Sequence, residues 1–250
     1  MKIKQLCFVS GVVLATLVTA SAAQAALVVV PPGLAPGTQY RLVFVTSGTR
    51  DATSSNINDY NTFVTNQVTG SALATELTNA GFNLGTITWK AIGSTSSVDA
   101  RDNTGTNPSS TGVPIYLIDG NRVANNNGDL WDGSIQTAIN RTQSDTVLST
   151  RVWTGTDTSG VPAFCSFGSG SGATGDAGST GLGWIFSDPC VDADDDGVRP
   201  LYSLYAMSSL LTVTTPAVTV PEPSSLLGLI TLGGLMLGGA VRLTGGGSDT

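Results

Sequence analysis

Val113-Pro114-Ile115-Tyr116-Leu117-Ile118 is a nearly unbroken apolar run that stops at Asp119-Gly120, with Val123-Ala124 and then Asp129-Leu130-Trp131-Asp132-Gly133-Ser134 close behind it. A short apolar run bounded by Gly, Asn and Asp reads as a strand, because those residues supply the turn conformations that end one. The same signature recurs on both sides, at Thr86 to Ile92, Val147 to Trp153, Gly183 to Phe186 and Leu201 to Met207. Nearer the N-terminus, Tyr40, Leu42 and Phe44 alternate with Arg41, Val43 and Val45, and the nearly continuous apolar run from Leu42 to Val45 predicts a buried strand. Ser55 or Asn56 then caps a helix in which Ile57, Tyr60, Val64 and Val68 recur at helical spacing. A second helix fits Ser71 to Ala80, with Leu73 and Leu77 on one face and Gly81 as its stop. Helices come early and strands mostly late, which is an α+β order, with long polar loops expected at Asp102 to Gly112 and Gly168 to Gly183.

The order of residues through the second half is more particular. After the Asp119-Gly120 turn and the Asp129-Leu130-Trp131-Asp132-Gly133-Ser134 segment come Val152-Trp153-Thr154-Gly155-Thr156, Gly160, Cys165, Trp184, Cys190 and Leu204-Tyr205-Ala206. This order resembles C-type-lectin-like domains of the collagen-derived endostatin branch and their bacterial relatives, over residues 113 to 211. The resemblance implies a C-type-lectin-like fold. It also implies a cysteine in the last strand bridged to one far upstream; Ala206 stands there instead, and no upstream partner exists in the domain.

The two ends of the chain read as addresses. Lys2 and Lys4, the apolar run Leu6 to Val18 and the small-x-small Ala23-Gln24-Ala25 form a signal peptide over 1 to 25, which takes Cys7 with it. At the other end, Val220-Pro221-Glu222-Pro223-Ser224-Ser225 precedes an uncharged stretch, Ser224 to Val241, long enough to cross a bilayer, and Arg242 follows. With Arg242 held inside by the positive-inside rule, the preceding domain faces outward, in agreement with the signal peptide. Pro-Glu-Pro, a glycine-punctuated apolar helix and a basic residue in this order resemble the PEP-CTERM sorting signal of bacterial exported proteins. The resemblance implies that a membrane-embedded exosortase-type enzyme recognises Pro221, Glu222 and Pro223, removes the helix and passes the protein to the cell surface or the exopolysaccharide matrix. The expected organisation is a signal peptide (1–25), a Pro-rich lead-in (26–37), one exported α+β domain (38–211), a Thr/Pro/Val spacer (212–220), the sorting signal with its transmembrane helix (221–243) and a tail (244–250).

Composition narrows the chemistry. The 250 residues include 11 basic and 18 acidic side chains and no histidine, and the net charge of -7 argues against a nucleic-acid partner. The segment from Ala26 to Val220 holds eight basic against sixteen acidic residues, so polyanions should be repelled as well. Without histidine there is no Ser-His-Asp triad, no Cys-His pair and no imidazole base. Cys165 and Cys190, the two cysteines left after export, are expected to pair as a structural disulfide in an oxidising compartment.

Asp192, Asp194 and Asp196, with Gly197 after them, set carboxylates at positions 1, 3 and 5 and glycine at 6, as in the opening of a calcium loop. Ser203 and Pro200 stand where that template needs further ligands, so the segment reads either as a calcium site completed by other oxygens or as a solvated acidic turn. Gly170-Ser171-Gly172-Ala173-Thr174-Gly175 matches a dinucleotide fingerprint in form, but no helical pattern follows it and the expectation is a flexible loop. Trp89, Trp131, Trp153 and Trp184 read as core, with sugar stacking as the alternative for any that is exposed. A glycosidase needs two carboxyl groups flanking a sugar; Glu76 falls in the second helix, and Asp99, Asp102, Asp119, Asp129 and Asp132 sit in turn-like surroundings. The resulting expectation is a non-catalytic surface or matrix protein that acts as an adhesion or binding module. The alternatives are a calcium-dependent glycan-binding protein and a carboxylate-based glycan hydrolase.

Overall fold

Tyr40, Leu42 and Phe44 of the first strand, β1 (Gln39–Val45), face one apolar core and Val43 and Val45 face another, which is why the run is apolar without a break. The computed structural model describes residues 27–192 and 199–214. The segments expected as signal peptide, as sorting motif (Pro221-Glu222-Pro223) and as the span after it, together with Asp194 and Asp196, lie outside the described residues. Among the described residues no helix is long and apolar enough to cross a membrane.

The two early helices form where the spacing predicts them. In α1 (Ile57–Val68) the Asn56 side chain accepts from the Asn58 amide at 3.1 Å, Asp59 lies in the first turn, and Ile57, Tyr60, Val64 and Val68 are buried. In α2 (Ala72–Asn79) the Ser71 hydroxyl accepts from the Ala74 amide at 3.3 Å, and Gly81, at φ +84°, takes the left-handed conformation that ends the helix. The segment expected as a strand from Thr86 to Ile92 forms one only over β2 (Trp89–Ala91), after a 3-10 turn at Leu84–Thr86. Two one-turn helices, α3 (Ala100–Asn103) and α4 (Asn127–Leu130), flank β3 (Ile115–Leu117) and β4 (Arg122–Ala124). The rest comprises β5 (Arg151–Trp153), β6 (Gly172–Asp176), β7 (Asp188–Val191), β8 (Ser203–Ser208) and β9 (Leu211–Thr212).

Nine strands form one mixed sheet in the order β4-β3-β1-β8-β5-β6-β7, with β2 added to β8 and β9 to β1. The fold is therefore a mixed α/β one, a large sheet with four α-helices among the described residues. β8 lies at its centre: it runs antiparallel to β1 (Phe44 opposite Ala206) and to β2 (Lys90 opposite Met207), and parallel to β5 (Trp153 opposite Leu204). Residues 39–45, which precede the stretch 113–211, are thus hydrogen-bonded to two of its strands, since β1 also runs parallel to β3. The lead-in is fixed to the same body, for Val28 donates to the Ile118 carbonyl and the buried Tyr40 hydroxyl to the Val29 carbonyl at 2.6 Å.

Three layers result. On one face α1 and α2 bury Tyr60, Val64, Leu73 and Leu77 against Leu42, Phe44, Trp89 and Leu204. On the other, irregular chain bearing Trp131, Ile135, Ile139 and Trp184 covers Val43, Ile115, Val152, Tyr205 and Met207. Phe44, fully buried with Trp89 edge-on at 5.2 Å between ring centres, belongs to the class of side chain whose truncation to Ala costs about 3–5 kcal/mol.

Two expected elements are corrected. Gly183 to Phe186 is not a strand: Leu182–Trp184 is a 3-10 turn that drops Trp184 into the second core. Gly168 to Gly183 is not a loop throughout, because β6 runs through it and pairs with β5 and β7. Two glycines of the apparent dinucleotide fingerprint, Gly172 and Gly175, are explained by packing, while Gly170 has open space around it and a φ of +92°. A Cβ at Gly172 would meet the Trp153 ring 2.7 Å away, and one at Gly175 would run into the Trp184 carbonyl.

Candidate functional site

Cys165 and Cys190 form the expected disulfide, with Cα atoms 5.3 Å apart. It ties the irregular segment between β5 and β6 to β7, and the Cys165 carbonyl also accepts from the Ala173 amide of β6 at 2.7 Å. Two features flank the bridge. Phe164 is 96% exposed, although its neighbours Ala163 and Cys165 are buried. Asp192 is exposed directly after β7, so the acidic segment begins two residues beyond the bridged Cys190. Of the three residues expected as calcium ligands only Asp192 lies among the described residues, where no cluster of three or more metal-ligating side chains occurs.

The carboxylates that a hydrolase would need are engaged locally. Asp119 accepts from the Asn121 amide and pairs with Arg141 at 3.6 Å. Asp129 accepts from the Asn125 amide at 2.6 Å and from the Gln136 side chain, Asp132 from the Ser134 amide and hydroxyl, and Asp102 from the Asn107 side chain. Asp99 pairs with Arg101 at 3.1 Å. This is the turn chemistry of short acidic side chains, which bond backbone two or a few residues on. Asp51 follows it too: the Thr53 hydroxyl and amide hold its carboxyl below the ordinary range. Asp145 shifts the other way, raised by burial against the opposing effect of Arg141.

The four tryptophans belong to the core. Trp89, Trp131, Trp153 and Trp184 are all buried, with the Trp131 indole donating to Thr106 and that of Trp153 to the Arg50 carbonyl. None presents a ring for sugar stacking.

A cleft of about 410 Å3 opens instead along the outer side of α1, where that helix meets β2. Asn58, Thr62, Thr65 and Asn66 recur at spacings of three, four and seven, and so share a helix face turned away from the core residues Tyr60, Val64 and Val68. Ile87, Thr88, Trp89 and Lys90 form the opposite wall. Thr65, Ile87 and Trp89 also border a second hollow of about 350 Å3 that continues toward Gly70, so the two make one groove.

The free edge of β2 beneath this groove is closed by side chains. Asn61 Oδ1 accepts from the Ala91 amide at 2.9 Å, Asn103 Nδ2 donates to the Ala91 carbonyl at 2.8 Å, and the Thr65 hydroxyl reaches the Trp89 carbonyl at 3.3 Å. Asn61 and Asn103 are further joined amide to amide, at 2.9 and 3.0 Å.

The sequence matches no protein-family model and no curated protein. Sequence reasoning named neither Phe164 nor the groove. A signal for the groove was present in the amide and hydroxyl spacing on α1 and in Lys90, the single lysine after Lys4.

Proposed function

We propose that this chain is a non-catalytic exported protein of the cell surface or extracellular matrix, an adhesion or binding module. The PEP-CTERM-like segment at Val220 to Ser225 directs it there through an exosortase-type processing enzyme. The observation that carries the reading is the Cys165–Cys190 disulfide, the bond an exported domain forms in an oxidising compartment, in a chain that begins with a signal-peptide pattern and ends with a sorting pattern. A C-type-lectin-like fold is part of the same proposal. It is supported by the antiparallel pairing of β1, near one end of the domain, with β8 and β9, near the other, by the two helices that directly follow β1, and by the loop-rich second half.

The local engagement of the acidic side chains favours binding over hydrolysis, which keeps the glycan hydrolase the weaker alternative. Calcium-dependent glycan binding is favoured by one observation, the exposure of Asp192 at the end of a disulfide-tethered strand. The test is retention of the oxidised protein on extracted exopolysaccharide, with calcium and then with chelator, while released reducing ends are monitored. Retention without sugar release supports the proposal, and dependence on calcium selects the second reading. Steady release of sugar would overturn both.

A further inference from the structure

We infer that the groove between α1 and β2 is a glycan subsite that takes a sugar residue bearing a single carboxylate, with Lys90 as its anion contact. This rests on the reading of the chain as a matrix-binding module and names the ligand class that such a module would take. Among the described residues, every arginine has a hydrogen-bond or ion-pair partner: Arg41 on the Ser208 carbonyl, Arg50 on Asp51, Arg101 on Asp99, Arg122 on Tyr116, Arg141 on Asp119, Arg151 on Asp188 and Arg199 on the Gly170 carbonyl. Lys90 is the one cation with neither, and it lines the groove. The same groove is lined by Thr62, Thr88 and Asn66, whose side-chain hydroxyls and amide likewise have no hydrogen bond among the described residues. A groove whose lining brings one lysine together with hydroxyl- and amide-bearing residues and the apolar Ile87 suits a polyhydroxylated ring with one anionic oxygen group, since such sites combine apolar contact with a few placed polar groups.

Two further observations fix the class. A peptide could use this groove by adding a strand to β2, but the outward backbone groups of Ala91 and Trp89 already bond Asn61, Asn103 and Thr65, so main-chain recognition of that kind is blocked. A densely charged polyuronate would meet the field of a domain with sixteen acidic and eight basic residues. Long-range repulsion of that sort acts over the roughly 8 Å Debye length of physiological salt, whereas a lone carboxylate seated on Lys90 is held at contact. The combination selects polymers in which acidic sugars are sparse among neutral ones.

The experiment uses the full chain in mild detergent, oxidised, and measures calorimetric binding of a tetrasaccharide with one glucuronate among neutral hexoses, its carboxyl-reduced counterpart, polygalacturonate and a Glu-containing peptide. The expected result is binding of the first about five- to tenfold tighter than of the second, the scale of one partly exposed charge-assisted hydrogen bond, with polygalacturonate and the peptide weaker than either. Lys90→Gln should abolish the difference between the first two sugars, and Asn66→Ala should weaken both alike. Equal binding of charged and reduced sugars, an unchanged preference in Lys90→Gln, or preferential binding of the peptide would overturn the assignment. If the wild-type chain and Lys90→Gln are retained equally on extracted exopolysaccharide, the subsite is wrong while the matrix-binding reading stands; if neither is retained, that reading fails as well.

Discussion

Asn61→Ala should destabilise the domain by about 3 kcal/mol, and the reasoning starts from the free edge of β2. The Asn61 side chain is buried, accepts from the fully buried Ala91 amide at 2.9 Å and exchanges two hydrogen bonds with Asn103. Truncation leaves the Ala91 N–H without its acceptor, which costs about 1–3 kcal/mol for a buried donor, and removes the pair with Asn103, worth about 1 kcal/mol more. In a domain of this size the melting temperature should fall by about 6–12 °C. Urea unfolding followed by fluorescence measures the loss directly, provided the slope of the transition is unchanged. Asn103→Ala, measured alone and with Asn61→Ala, completes a cycle in which the two changes should be coupled by at least about 0.5 kcal/mol, because they share one hydrogen-bond network. A loss in Asn61→Ala below about 1 kcal/mol, or strict additivity in the double variant, would refute the argument that these amides close the sheet edge.

Replacing Cys165 and Cys190 by Ser together opens a loop of 25 residues and should cost on the order of 3 kcal/mol on the chain-entropy model, seen as a lower urea midpoint that added reductant no longer shifts. Gly175→Ala should destabilise by about 1–3 kcal/mol as an overpacking change, since the new methyl runs into the Trp184 carbonyl; chemical denaturation equal to wild type would contradict the packing of β6. Burial pushes the Tyr60 phenol up to about 12 and raises Tyr40 and Tyr205 as well. Phenols whose ionisation is suppressed in the folded state stabilise it fully below their unfolded value near 10 and lose that stabilisation above it, so the unfolding free energy should fall between pH 10 and 11.5 by up to about 1.4 kcal/mol per tyrosine per pH unit. Ionisation of more than two of the five tyrosines before unfolding in that window would be the contrary result. If the acidic segment binds calcium, millimolar calcium should raise the melting temperature and Asp194→Asn should abolish the rise; an unchanged melting curve identifies a solvated turn.

The elements legible in the sequence are those whose burial pattern matches their period. β1 announced itself through the nearly continuous apolar run Leu42 to Val45, α1 through Ile57, Tyr60, Val64 and Val68, and α2 through Ser71 and Gly81 at its two ends. β6 was illegible for a physical reason: Gly172-Ala173-Thr174-Gly175 has no large side chain because Trp153 and Trp184 press on it, so a strand made by its neighbours looks like a flexible linker in isolation. Trp184 misled in the opposite sense, its apolar surroundings suggesting a strand where a 3-10 turn delivers the ring to the second core. The disulfide followed from cysteine count and compartment alone. The groove did not, because Asn58, Thr62 and Asn66 become a wall only once α1 lies against β2, a packing decided by residues on the opposite side of the helix.

The most direct test of the account is where the chain goes. An epitope placed after Pro108, in the exposed turn between α3 and β3, reports the mature protein by fractionation and mass spectrometry in cells that carry an exosortase-type enzyme. The account predicts a product that starts near Ala26, lacks the segment after Pro221-Glu222-Pro223, carries an intact Cys165–Cys190 bridge and is recovered from the surface and matrix fractions, while Glu222→Ala stays in the membrane with its C-terminus attached. Recovery of the full-length, reduced chain from the cytoplasm would contradict it.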